Sequence, residues 1–147
     1  MSTTPSQEAD KRSEFDFWLG RWDLTWEGGQ GINHIEAILD GRVIQERFET
    51  LAQDGLKGMS VSVYDERQAC WCQTWVDNQG GYLDFTGGMQ GDRMILSRVA
   101  DIDGKQVHQR MVWYEIRRDG FLWNWERSLD EGKSWESMWV IQYLRAG

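Results

Sequence analysis

The sequence predicts an all-β protein, a single antiparallel up-and-down β-barrel of about ten strands with a short N-terminal helix closing one end. Three observations carry that expectation. After residue 20 the chain runs in short segments rich in Val, Ile, Trp, Tyr and Thr, residue types that suit a pleated, half-buried surface. Turn signals separate the segments at Gly28-Gly29, Asp40-Gly41, Asp54-Gly55, Gln79-Gly80, Gln90-Gly91, Asp103-Gly104 and Asp119-Gly120, a spacing that describes a β meander. A long amphipathic meander without helical crossovers must leave two edges open or close on itself, and closure removes the edges.

In chain order, residues 1–12 are polar and read as a frayed tail, and 13–147 form one barrel domain. Ser13 followed by Glu14 and Asp16 resembles a helix cap with acids in the first turn, and Phe15, Trp18 and Leu19 fall on one helical face. A helix over 14–19 therefore ends at Gly20. Strands are expected over 21–27, 31–39, 42–52, 57–65, 69–78, 81–88, 92–100, 105–117, 121–128 and 134–145. A barrel of that strand number is wider than one whose side chains just fill it, so an internal cavity for a small molecule is expected.

Composition narrows the functional classes. A chain of 147 residues has room for one domain, and its net charge of −8 disfavours nucleic acid and anionic membrane surfaces, which need clustered cations. No apolar stretch has the length of a signal peptide or a membrane span, so a cytoplasmic protein is expected. Cys70 and Cys72, the only cysteines, are read as reduced.

Tight turns fix register, and register decides which residues share a face. Two-residue turns would place Val76 opposite Leu83, Phe85 opposite Leu96, Arg98 opposite Gln109, Trp113 opposite Glu126, Glu115 opposite Asn124, Phe48 opposite Val61 and Glu46 opposite Val63. The resulting apolar face includes Ile44, Phe48, Met59, Val61, Val63, Cys72, Val76, Leu83, Phe85, Met94, Leu96, Met111, Trp113 and Leu122, joined by Trp22, Leu24, Trp26, Trp139 and Tyr143. Burial of apolar area turns this face inward. The opposite face then carries Gln45, Arg47, Glu49, Ser60, Ser62, Asp84 and Arg93, together with Trp71, Trp75, Tyr82, Trp123 and Trp125. That is more aromatic surface than a monomer exposes. Either the barrel dimerises through its Trp71, Trp75 and Trp125 face, or some hairpins are shifted by one residue and those rings line the cavity.

Among the inward residues the polar ones are candidate ligand contacts: Glu46, Arg98, Gln109, Asn124, Glu126 and Tyr143, with Trp22, Trp26, Trp113 and Trp139 as walls. The expected ligand is a small, largely apolar molecule, and Arg98 would favour an anionic head group. The alternative is an isomerase, cyclase or decarboxylase in which Glu46 or Glu126, its pKa raised by apolar surroundings, serves as general acid or base. An interaction module using the outer tryptophans is a third class. His34 and His108 stand alone without metal-ligand spacing, and no nucleophile elbow, dinucleotide or phosphate-loop motif is present. No metal and no cofactor are expected. The run Ser128-Leu129-Asp130-Glu131-Gly132-Lys133-Ser134-Trp135 matches the SxDxGxSW Asp-box, which in a single copy predicts a hairpin rather than a glycosidase.

Phe15-Asp16-Phe17-Trp18-Leu19-Gly20-Arg21-Trp22-Asp23, the Trp71-x-Gln73-x-Trp75-x-Asp77 segment and the Trp125-Glu126-x-Ser128-x-Asp130 hairpin resemble an uncharacterised bacterial family of small calycin-like barrels. That family is similar in architecture to lipocalins, fatty-acid-binding proteins and the haem-binding nitrobindins. The resemblance implies a barrel but no particular activity. The opening also looks like that of the nitrobindins, yet Gly28 and Gly29 come late for it, and the C-terminal histidine through which those proteins hold iron has no counterpart after His108. Tyr143 would be the alternative axial ligand.

Overall fold

The computed structural model describes residues 11–147 and is a closed antiparallel barrel of ten strands. The strands are β1 (Gly20–Trp26), β2 (Gly29–Ile38), β3 (Val43–Thr50), β4 (Lys57–Asp65), β5 (Cys70–Asp77), β6 (Tyr82–Gln90), β7 (Arg93–Ile102), β8 (Lys105–Arg117), β9 (Gly120–Ser128) and β10 (Glu136–Arg145). Each pairs with its chain neighbours, and β1 pairs with β10 to close the cylinder, with Trp22 opposite Arg145 and Leu24 opposite Tyr143. The architecture is that expected of a calycin-like fold.

Arg145 fastens the seam. Its guanidinium lies 4.2 Å from the Trp22 ring centroid, its Nη1 donates to the Leu19 carbonyl at 2.9 Å and its Nε to the Arg118 carbonyl at 3.0 Å. The Ala146 N–H donates to the Arg21 carbonyl just beyond.

The expected helix over 14–19 is a single 3-10 turn, Asp16–Trp18. Leu19 is already extended, with ψ 137°, and β1 begins at Gly20, so the segment has no length for i to i−4 bonding. It still closes one end. Phe15 and Trp18 insert fully into the barrel, where Phe15 meets Trp71 and Trp113 edge-on at 5.0 and 5.2 Å between ring centroids. The expected tail lies outside the described residues up to residue 10. Lys11 and Arg12 are docked: the Lys11 carbonyl accepts from Trp71 Nε1 at 3.0 Å, and Arg12 pairs with Glu66.

Register agrees with expectation at Asp103-Gly104, where Leu96 faces Met111 and Arg98 faces Gln109. At Gln90-Gly91 it slips by two, Gln90 facing Arg93, which keeps the same residues inside. At Asp54-Gly55, Gln79-Gly80 and Asp119-Gly120 it shifts by an odd number and the faces exchange. Thr50 still bonds Leu56, so the link between β3 and β4 runs through 51–55 and Glu46 faces Ser60 rather than Val63. Asp77 bonds Gly81, so the next turn occupies 78–80 and Trp75 faces Leu83. A bulge between Tyr114 and Arg117 sets Trp113 opposite Trp123.

These shifts turn Met59, Val61, Val63 and Val76 outward and Ser60 and Ser62 inward, where both serines are fully buried. The inward hydroxyls are satisfied: Ser60 Oγ donates to Glu46 Oε1 at 2.7 Å, and Ser62 Oγ accepts from Gln73 Nε2 at 3.0 Å. The expected outer tryptophan face is therefore corrected. Trp71 is 3% exposed, and Trp75, Trp123 and Trp125 pack against the core, leaving Tyr82 as the exposed aromatic of that group.

The bulge has a sign in the backbone, since Glu115 sits in the left-handed region at φ 51°. A non-glycine residue pays about 1–2 kcal/mol there, part of which glycine returns through its freer unfolded chain. Glu115→Gly is expected to raise unfolding stability by about 0.5–1 kcal/mol and Glu115→Val to lower it. Urea midpoints check both.

Candidate functional site

Away from the 3-10 turn, the barrel interior holds a cavity of about 180 Å³. Its walls are Trp75, Trp113, Trp123, Trp125, Trp139, Phe48, Phe85, Leu56, Leu83, Met111, Ile141, Tyr143 and Glu46. Trp113 is the floor, because its other contacts are Phe15 and Trp18 from the closing segment. The rings hold one another edge to face: Trp123 and Trp139 meet at 83°, Phe48 and Trp139 at 87°, Phe85 and Trp125 at 82°. Edge-to-face packing fixes the ring planes and keeps neighbouring indoles from collapsing into a stack. Glycine makes part of the room. A Cβ at Gly58 would lie 2.2 Å from the Trp75 ring, so only glycine lets that indole lie along β4.

Glu46 and Tyr143 are the titratable groups on this lining. Asn33, from β2, binds both: its Nδ2 donates to Glu46 Oε2 at 2.7 Å and to the Tyr143 hydroxyl at 2.9 Å. With Ser60 on Oε1, each Glu46 oxygen has one protein donor. Glu46 is 7% exposed, and no described Lys or Arg forms an ion pair with it. Burial therefore raises its pKa, against the partial opposition of the bonds from Asn33 and Ser60. Burial also pushes the Tyr143 phenol well above its ordinary value, and the nearby Glu46 charge adds to the effect. The site can hold or release one proton at Glu46 while Tyr143 stays a neutral hydroxyl.

Of the residues expected to form the site, Glu46, Trp113, Trp139 and Tyr143 converge on the cavity. Trp26 supports it from behind, its ring 5.2 Å from that of Trp139. Trp22 is core, sandwiched by Phe121, Tyr143 and Arg145, with Nε1 donating to the Trp18 carbonyl. Arg98 and Gln109 point inward but off the lining: Arg98 Nη1 donates to Gln109 Oε1 at 2.5 Å, and the guanidinium sits 6.0 Å from the Phe85 ring centroid.

Asn124 and Glu126 do not reach the cavity at all. Trp123 and Trp125 point inward on the same strand, so the residues between and beyond them face out. There Glu126 Oε1 accepts from Arg110 Nε at 2.7 Å, and Asn124 bridges Glu126, Ser137 and the Tyr114 hydroxyl. Arg110 in turn lies 3.9 Å under the Trp135 ring of the Asp-box. That loop is built as the motif implies: Ser128 Oγ and the Ser134 N–H and hydroxyl all donate to the Asp130 carboxylate. These bonds hold Asp130 at a pKa of about 2. The Glu126 cluster thus secures the β9–β10 hairpin to the outer wall.

Sequence reasoning missed Asn33 and Ser60 as site residues and placed Trp75, Trp123 and Trp125 in the cavity only as the alternative to an outer face, the alternative the lining bears out. An odd-length turn carries no composition signal that separates it from an even one, so their face could not be read from turn residues alone. Among the described residues no His, Cys, Asp and Glu cluster could hold a metal ion, and no helix is long and apolar enough to cross a membrane. Compared with known proteins, the chain matches no protein-family model and no curated protein.

Proposed function

We propose that the protein is a small-molecule binding barrel whose ligand is a compact, largely apolar molecule seated among the cavity tryptophans. One observation carries this reading: five indoles converge on about 180 Å³ of open space rather than on one another. Apolar cavities of about 150 Å³ accept a benzene-sized guest, whereas drug-sized ligands take roughly 300–1,000 Å³. The ligand is then about one ring in size, well short of a porphyrin. Membership of a calycin-like family and a cytoplasmic setting belong to the same proposal, the latter supported by the unpaired thiols of Cys70 and Cys72.

Toluene is a suitable probe. Titrating it against the protein's tryptophan fluorescence is expected to give a saturable change, and Leu83→Trp, which fills the cavity from β6, is expected to remove it without lowering the melting temperature. A response that survives in the filled variant, or none in the wild type, sinks the reading.

A second reading rests on a specific feature, the proton-holding carboxyl on an apolar wall. A general acid or base acting on an apolar substrate, in an isomerase, cyclase or decarboxylase, would use Glu46 and not Glu126, which is tied to Arg110 outside.

A further inference from the structure

We propose that the natural occupant of the cavity is a small organic cation, an amine or quaternary ammonium, whose charge is met by Glu46 and whose substituents lie against the indoles. This rests on the cavity-binding reading and names its ligand class.

The lining carries two ionisable groups, and both are acids, Glu46 and Tyr143. An anionic head group would meet a carboxyl with no base beside it. Arg98, the cation expected to serve it, is not on the lining but is held by Gln109 behind the Phe85 ring. The remaining walls are aromatic or aliphatic. An indole presents the strongest aromatic attraction for a cation, and desolvation inside a cavity enlarges it.

Glu46 itself has unused capacity. A carboxylate offers about four acceptor sites, and Asn33 and Ser60 take two of them. A buried carboxylate must be paired or neutralised. Burial favours its protonated form in the empty cavity, and an entering cation can take the proton's place. The groups facing Glu46 are Asn33 on β2 and Ser60 on β4, which do not titrate, and Tyr143 on β10, which keeps its proton across the working range. Arg47, next in sequence, points outward to His34 and Glu36. Binding of a permanent cation is therefore coupled to loss of one proton, from Glu46.

Choline and 3,3-dimethyl-1-butanol have the same shape and differ in charge, and both can be titrated by tryptophan fluorescence at pH 6 and pH 8.5, with toluene as the neutral reference. The expected result is that choline binds at least tenfold more tightly than the alcohol at pH 8.5, and that its affinity rises with pH while that of the alcohol stays level. Glu46→Gln is expected to abolish the preference and the pH dependence, and the wild-type pH series stands as the test should that variant fold poorly. If toluene binds and choline shows no advantage over the alcohol, the cation assignment is overturned and the cavity reading survives. If none of the three gives a saturable response, both fall.

Discussion

Replacing Trp113 by alanine is expected to destabilise the protein by about 4 kcal/mol, near the upper part of the range for deleting a buried aromatic side chain. Two features push it there. The ring is 1% exposed and is shared between the closing segment, through Phe15 and Trp18, and the cavity, through its floor. Space already open on one side leaves the wall little to collapse onto, so the cavity term is paid in full. The indole N–H has no hydrogen-bond partner among the described residues, so the loss is one of packing. Trp123→Ala, removing a half-buried ring that serves only the cavity wall and Trp139, is expected to cost roughly 1–2 kcal/mol. Urea unfolding of the two variants side by side checks the difference. Trypsin should also cut at Lys11 and Arg12 faster in Trp113→Ala, because the docked segment loses its seat. Equal losses in the two variants would show that Trp113 is not the shared floor.

The second large effect is on pH dependence. In the unfolded chain a glutamate releases its proton near pH 4.3. In the barrel, burial lets Glu46 keep its proton to higher pH. Between those two values unfolding releases a proton, so stability is complete below about pH 4.3 and falls as pH rises through the folded value, by about 1.4 kcal/mol per pH unit. For a domain of this size that is roughly 3–6 °C of melting temperature per unit. Glu46→Gln keeps an acceptor for one of the two donors and removes the titration, so its melting temperature is expected to exceed that of the wild type by a margin that grows as pH rises from about 4.3 to the folded value and is constant above it. A wild-type curve that rises with pH over this span would place the buried charge elsewhere.

The meander was legible because its signals are local. Gly and Asp at the turns and β-branched or aromatic residues between them fix strand number and, since strands joined by short turns are neighbours, the topology. The inward face was legible for β1, β3, β6–β8 and β10, and with it Glu46, Trp113, Trp139 and Tyr143. It was lost at three places because the parity of a link does not show in turn composition: side-chain bonds of Thr50 and Asp77 set it at two of them, and a backbone bulge at the third. Asp77 illustrates it, since its carboxylate accepts the N–H groups of Gln79 and Gly81 and the indole N–H of Trp75, stretching the turn by one residue. The bulge at Glu115 did the same to β9, exchanging Asn124 and Glu126 for Trp123 and Trp125. The expected helix failed for a different reason: its cap and spacing fit a helix, but the barrel takes up the chain at Gly20.

The seam between β1 and β10 also dictates an order of assembly. Hairpins such as β7–β8 and β8–β9 join near neighbours and carry small loop-closure entropy, whereas β1 and β10 lie at opposite ends of the described chain and are the costliest pair to bring together. Trp139, Ile141 and Tyr143 all ride on β10, and Tyr143 shares the Asn33 amide with Glu46 on β3. The cavity is therefore a product of the final closure, absent from any nascent or partly folded chain that lacks β10. Until that strand arrives, two unpaired edges and a wall of indoles face water together, the condition in which β chains aggregate. On the proposed binding function, a cavity ligand would bind only after closure and would hold more of the chain in the closed state, less of it exposed to that hazard.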